Sequence, residues 1–218
     1  MQNPFLKVCI GFAVLFSVMF TVSCATTGPP FFAEKAYFPG FCPAGSTWGY
    51  ERRDSGSFGS GIVQYTTKSL GEQTWQGRKV NALEGPEGTL LQELPSLKWV
   101  AFVKGTTPLV SWDPPLGWSY PIWVGKTWTE SYRVTNHGSG KTSNLEIRWN
   151  VEAKEEIKAP SGTFKVFRVT SSSADTETIN WWSPELGTFV KSKSQRTAKH
   201  PLGPGLRETE LISHDFNR

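Results

Sequence analysis

The sequence predicts an all-β protein built from antiparallel hairpins. Its 218 residues include ten Trp, 14 Phe and five Tyr, together with 21 Gly and 15 Pro. Aromatic residues favour the pleated, half-buried surface of a sheet, whereas frequent Gly and Pro interrupt helices. No segment carries apolar residues at helical spacing over three turns. The composition therefore indicates many short strands joined by tight turns.

The clearest strand spans residues 145–154, Leu-Glu-Ile-Arg-Trp-Asn-Val-Glu-Ala-Lys. Its odd positions are apolar and its even positions are polar, which is the period of a sheet with one wet face. Further strands are predicted at residues 127–135, 163–171, 176–182 and 188–195. Between the last two, a Ser-Pro-Glu-Leu-Gly sequence has the proline and glycine of a tight turn.

The two halves of the chain resemble each other. Gly-Ser-Thr-Trp at 45–48 is echoed by Gly-Lys-Thr-Trp at 125–128, and Gly77–Val80 is echoed by Gly162–Val166. This similarity indicates an internal duplication of a meander. The predicted repeats cover residues 45–104 and 125–195, and residues 109–123 form the predicted connection between them. The whole β domain, residues 45–218, is expected to hold roughly ten strands, as a strongly curved half-barrel or as a two-sheet sandwich.

The N terminus predicts a signal peptide over residues 1–23. Lys7 is the only charge before an apolar run at residues 8–22. A cationic start, an apolar core and small residues at the end are typical of an export signal. The run is shorter than the roughly 20 apolar residues of a membrane span.

Cys24 is the predicted site of a lipid anchor. It follows a small residue at the end of the apolar run and resembles the lipobox cysteine of bacterial lipoproteins, although Thr21 stands where Leu is usual. Residues 24–44 would then be a lipid-anchored, aromatic tether. Ala25 stands where enteric-type bacteria place the Asp that retains lipoproteins at the inner membrane, which favours an outer-membrane lipoprotein facing the periplasm. Cleavage after Ala25, giving a secreted or periplasmic protein, and an uncleaved anchor are the alternatives.

Three segments carry a family resemblance: Val124–Trp128, Ala159–Phe164 and Trp181–Val190. Together they resemble a pattern in uncharacterised bacterial envelope proteins, which are exported or lipid-anchored domains of unknown function. The likeness covers residues 120–195 and consists of turn and core residues. It implies a curved antiparallel half-barrel and an envelope location, and it implies no activity.

Charge and motifs argue against several function classes. The formal net charge of +4 comes from interspersed residues of both signs, so nucleic acid is not an expected partner. Gly125-Lys-Thr and Gly140-Lys-Thr both lack the upstream glycine of a phosphate-binding loop. The chain also lacks Gly-x-Ser-x-Gly, Cys-x-x-Cys and His-x-x-x-His. We therefore expect a protein that is not an enzyme, with no catalytic residues, metal or cofactor; the least favoured alternative is a glycan hydrolase using Asp113 or Glu185.

The best functional lead is the aromatic segment at residues 112–123. It holds Trp112, Trp118, Tyr120 and Trp123 between prolines. Rings on stiff loops suit acyl chains, sugar faces or a protein partner. We predict these four residues to bind a hydrophobic or amphipathic ligand or, alternatively, another envelope protein that this chain would scaffold. A plug that closes one end of the fold is the competing interpretation of the same segment.

Overall fold

Twelve antiparallel strands, joined in chain order, form one closed barrel. The structure is a computed structural model that describes residues 34–37, 40 and 42–216. The strands are β1 (Thr47–Gly56), β2 (Gly61–Trp75), β3 (Arg78–Gly85), β4 (Gly88–Glu93), β5 (Trp99–Lys104), β6 (Thr107–Leu116), β7 (Thr127–Asn136), β8 (Lys141–Ala159), β9 (Gly162–Ser172), β10 (Thr176–Ser183), β11 (Thr188–Arg196) and β12 (Gly205–Asp215). Every strand pairs with its neighbours in the chain, and β1 also pairs with β12.

The antiparallel all-β prediction is confirmed, but the half-barrel and the ten-strand sandwich are wrong. Two strands were missed. One is β6, which occupies most of the predicted connection at 109–123 and leaves residues 117–126 as the true connection to β7. The other is β12, which follows the second predicted repeat. Its pairing with β1 closes the barrel, whereas a half-barrel would leave both strands as edges.

The two longest strands, β2 and β8, each contain a β-bulge. The register shifts between Ser69 and Gly71 in β2 and between Val151 and Ala153 in β8. A bulge bends its strand and increases the local twist. The predicted strand at 145–154 is thus the middle of a bent strand that is 19 residues long.

Strand register divides the barrel wall into two faces. The face that carries Tyr50 continues through the paired residues of every neighbouring strand, and we call it the inner face. Rings from non-adjacent strands meet on the inner face. For example, Tyr50 of β1 stacks on Phe189 of β11 with ring centroids 5.0 Å apart. The outer face of β11 and β12 carries ion pairs such as Lys191–Glu210 at 2.7 Å. The space that the inner face surrounds is called the lumen below.

The core consists of three buried clusters. The largest covers the inner face of β7 to β10 and includes Tyr132, Trp149, Val151, Phe167, Val169 and Trp182. The second joins β1, β9, β11 and β12 and includes Trp48, Tyr50, Phe164, Val166, Val190 and Leu211. The third is built from β3, β4 and β5 and includes Val80, Ala82, Leu91, Ala101 and Val103. In the part of the chain that the structure describes, no helix has the length and apolar character needed to cross a membrane.

Candidate ligand-binding lumen

The connection between β6 and β7, residues 117–126, packs on the inner face. Trp118 lies edge-on to two core rings, with centroids 6.5 Å from Trp149 and 5.5 Å from Trp182. Ile122 is fully buried and forms a two-hydrogen-bond bridge with Ala36. These contacts fill one end of the lumen with apolar side chains. We call residues 117–126 the plug.

A half-buried carboxylate ties the plug to the wall. Glu130 of β7 accepts hydrogen bonds from Ser119 Oγ at 2.7 Å, from Lys98 Nζ at 3.1 Å and from the Tyr132 hydroxyl. Burial opposes ionisation of Glu130, but the three donors outweigh it, so the pKa of this carboxyl lies below its ordinary value. Glu130 is therefore charged at neutral pH and fixes the plug to β7.

Lys126 makes a second connection within the plug. Its ammonium donates hydrogen bonds to the carbonyl oxygens of Ser119 and Pro121. It also lies 4.8 Å from the ring centroid of Trp123 and 5.2 Å from that of Trp128, within the range of cation–π attraction. Burial lowers the pKa of this amine. The same side chain thus orders both the backbone and one predicted site ring.

The four aromatic residues predicted to form a binding site contact different neighbours. Trp118 and Tyr120 come together on Trp182, where Tyr120 lies 5.6 Å away between centroids. Trp112 is on the inner face of β6 and meets Trp99 edge-on at 5.9 Å. Trp123 faces Lys126, as described above. Cys24 and the predicted signal peptide lie outside the described residues.

Of the two acidic residues nominated for glycan hydrolysis, Asp113 has a structural partner and Glu185 is exposed in the turn between β10 and β11. Asp113 accepts a hydrogen bond from Arg133 Nη2 at 2.6 Å, and both side chains are mostly exposed. The described residues contain no group of three or more His, Cys, Asp and Glu side chains that could hold a metal ion.

Half of the lumen wall is apolar. From β3 to β8, the inner face presents half-buried apolar side chains on six consecutive strands. We call this set the apolar strip: Leu83, Leu90, Phe102, Val110, Trp112, Val134, Leu145 and Ile147. None of these residues is fully buried, although Leu83, Trp112, Val134, Leu145 and Ile147 pack in part against the two larger core clusters.

The other half of the lumen wall is polar at the end opposite the plug. Beside the plug, β9 to β12 and β1 carry core residues such as Phe167, Trp182 and Leu211 on the inner face. Farther from the plug the inner face carries hydroxyl, amide and charged side chains, which are Ser171, Thr178, Asn180, Ser192, Ser194, Arg196, Arg207, Thr209, Arg52 and Asp54. Most of them are half-buried, so the lumen wall is amphipathic.

Three guanidinium groups converge on this polar half, and we call Arg52, Arg196 and Arg207 the arginine cluster. Arg207 binds Asp54 through two hydrogen bonds, at 2.8 and 3.0 Å. Arg52 Nε lies 3.1 Å from the same carboxylate. Arg196 and Arg207 both contact the ring of Phe58, with guanidinium carbons 3.8 and 4.6 Å from its centroid.

Close approach of two turns positions Phe58. The β1–β2 turn and the β11–β12 turn are joined where Ser57 N donates to Pro204 O at 2.9 Å and Ser57 Oγ donates to Gly203 O at 2.7 Å. A Cβ on Gly56 would lie 2.5 Å from Pro204 O, and Gly56 has a φ of +63°. Glycine is therefore required at this position.

Sequence reasoning missed the arginine cluster, although one signal was present. The stretch 191–196 is polar at every position. A strand that covers a dry core alternates polar with apolar residues, so a strand that is polar on both faces indicates a wet interior. The convergence of Arg52 and Arg207 carried no local signal, because these residues are far apart in the chain.

No protein-family model matches this chain, and neither does any curated protein. Solved structures similar to it include a proposed lipoprotein from Parabacteroides distasonis, at 11% identity and a TM-score of 0.44 over 84% of this chain and 100% of that chain. A proposed exported protein with a YmcC-like fold from Bacteroides fragilis has 11% identity and a TM-score of 0.48 over the same shares, 84% and 100%. The hypothetical lipoprotein YmcC from Escherichia coli has 14% identity and a TM-score of 0.44 over 78% of this chain and 84% of that chain.

Proposed function

We propose that this chain is an exported, lipid-anchored protein of the bacterial envelope that binds a hydrophobic or amphipathic ligand in its lumen without catalysing a reaction. The observation that carries the proposal is the apolar strip, a band of half-buried apolar side chains on six neighbouring strands. Apolar surface facing water is unfavourable, at about 25 cal/mol per Å², and an apolar ligand would cover it. The export signal and Cys24 support the location, with an outer-membrane lipoprotein facing the periplasm as the specific form.

A neutral, polarity-sensitive dye tests this proposal. N-phenylnaphthylamine should bind the purified mature protein stoichiometrically with an increase in fluorescence, because it would leave water for the strip. Ile147→Gln should weaken the binding, since it places an amide within the strip. Arg148→Gln is the matched control, because Arg148 is exposed on the outer face of the same strand. Absence of dye uptake by the folded protein would overturn the proposal.

A second candidate function is scaffolding of another envelope protein. One observation favours it: Trp99 is 41% exposed and meets the half-buried Trp112 edge-on, which gives a patch of two apolar rings beside the plug. Exposed aromatic residues are common anchors of protein interfaces. In this case the patch, rather than the lumen, would bind the partner.

A further inference from the structure

We infer that the lumen binds an amphiphile with an anionic head group, and that the arginine cluster binds this head group while the apolar strip binds the tail. The inference rests on the proposed function, since it names the class of ligand for the same lumen. It depends on three features: the charge of the cluster, its position relative to the strip, and the access to it.

The arginine cluster has more positive than negative charge. Asp54, whose side chain is 10% exposed, is the one carboxylate at its centre and interacts with Arg52 and Arg207. Arg52 also contacts Glu87, but that side chain is 63% exposed and therefore well screened. Within the described residues, Arg196 makes no ion pair and donates only to Ser57. At least one guanidinium thus lacks a compensating anion.

The geometry also suits an oxyanion. Arg196 and Arg207 approach the ring of Phe58 together, so two like charges are held near one another. Like charges close together in a half-buried site repel, and a bound anion would relieve the repulsion. Guanidinium groups bind carboxylate and phosphate oxygens through paired, charge-assisted hydrogen bonds.

The cluster lies next to the apolar strip. The Arg52 guanidinium carbon is 5.7 Å from the ring centroid of Tyr65, on the neighbouring strand β2. Leu83 of β3, the first member of the strip, pairs with Ser69 of β2, which lies four residues beyond Tyr65 on the same face. A ligand with its head at the cluster would therefore have its tail beside the strip.

Cluster and plug lie at opposite ends of the lumen. Along β10, Thr176 pairs with Arg196, whereas Trp182 contacts the plug residue Trp118. At about 3.3 Å per residue, these ends of β10 are about 20 Å apart. Val63, which pairs with Arg52 on the inner face, is 48% exposed, so solvent reaches the inner face beside Arg52. The tail would enter there and extend toward the plug.

Displacement of N-phenylnaphthylamine by oleate, methyl oleate and inorganic phosphate tests the inference. Oleate and methyl oleate share a tail and differ in the charge of the head. Oleate should therefore bind about tenfold more tightly, which is the gain in affinity expected from one charge-assisted hydrogen bond. Inorganic phosphate alone should displace no dye. Equal binding of oleate and its ester would overturn the inference and leave the proposed function standing. Absence of dye binding would instead remove the proposed function itself.

Variants of the cluster separate recognition from folding. Arg196→Gln should weaken oleate binding about tenfold and leave methyl oleate binding unchanged, because it removes a cation and breaks no ion pair. Arg53→Gln, on the exposed outer face of β1, is the matched control. Asp54→Asn should strengthen oleate binding, since it removes the anion that competes for Arg52 and Arg207. General damage to the fold would weaken the binding of both ligands, so weaker oleate binding by a folded Asp54→Asn protein would contradict the inference.

Discussion

Arg207 of β12 binds Asp54 of β1 through two hydrogen bonds, and these two residues lie opposite each other in the strand pair that closes the barrel. The pair therefore connects the first and last strands at the end of the lumen opposite the plug. Asp54 is nearly buried, and Arg52 Nε lies 3.1 Å from the carboxylate oxygen that also accepts from Arg207 Nη2. The same carboxylate thus stabilises the closure and holds two members of the arginine cluster in place.

Asp54→Ala should lower the free energy of unfolding by about 2 kcal/mol, because it leaves two partly buried guanidinium groups without their charged acceptor. Urea denaturation followed by tryptophan fluorescence measures this change. The control is Arg53→Gln on the same strand, where an exposed pair with Glu51 should contribute less than about 0.5 kcal/mol. Equal stability of the Asp54→Ala and wild-type proteins would show that the pair does not stabilise the closure.

Glu130→Gln should reduce the acid sensitivity of the fold. The folded-state pKa of Glu130 lies below its ordinary value of 4.5, so the stability it contributes is present above pH 4.5 and is lost as the pH falls through the folded pKa. Thermal unfolding between pH 7 and about pH 3 should therefore show a smaller decrease for the variant than for the wild type. A variant with the same pH dependence as the wild type would exclude Glu130 as a source of acid unfolding.

Trp118→Ala should destabilise the protein by about 3 kcal/mol, because it leaves a cavity between Trp149 and Trp182. Calorimetry measures the shift in the melting temperature. Trp123→Ala is the comparison, since Trp123 belongs to the same segment but contacts the Lys126 side chain instead of the core. A Trp118→Ala protein as stable as the wild type would show that the plug does not contribute to the core.

Replacing both Trp99 and Trp112 by Ala tests the scaffolding function. If the exposed patch binds another envelope protein, the double variant should lose co-purifying protein, and its melting temperature should also fall, because Trp112 packs against the largest core cluster. Dye uptake by the lumen should decrease only modestly, since the strip keeps its other members. Retention of the co-purifying protein would speak against the patch as the binding surface.

The mass of the mature N terminus tests the anchor. If Cys24 is lipidated, mass spectrometry should find the chain beginning at Cys24 with a diacylglyceryl modification, and Cys24→Ser should leave the signal peptide uncleaved. An unmodified chain that begins after Ala25 would instead show a secreted or periplasmic protein.

Local pattern predicted the strands well but not the closure of the barrel. The alternation at residues 145–154 is the inner-versus-outer alternation of β8, so the strand could be identified without its partners. Pairing of β1 with β12 joins residues about 160 positions apart, and the sequence of neither strand identifies the other as its partner. The aromatic segment at residues 112–123 could be identified because it holds four rings within 12 residues. The structure packs two of these rings on Trp182. The arginine cluster is the opposite case, since its members are dispersed and only the fold brings them together.

The closed ladder also restricts how this protein can associate. Each of the twelve described strands has a hydrogen-bonded neighbour on both sides, so none of them is an edge strand along its whole length. Growth by strand addition along a whole strand, which links many β proteins into fibres, would first require two paired strands to separate. Association with other proteins would therefore use mainly side chains on the turns and the outer wall.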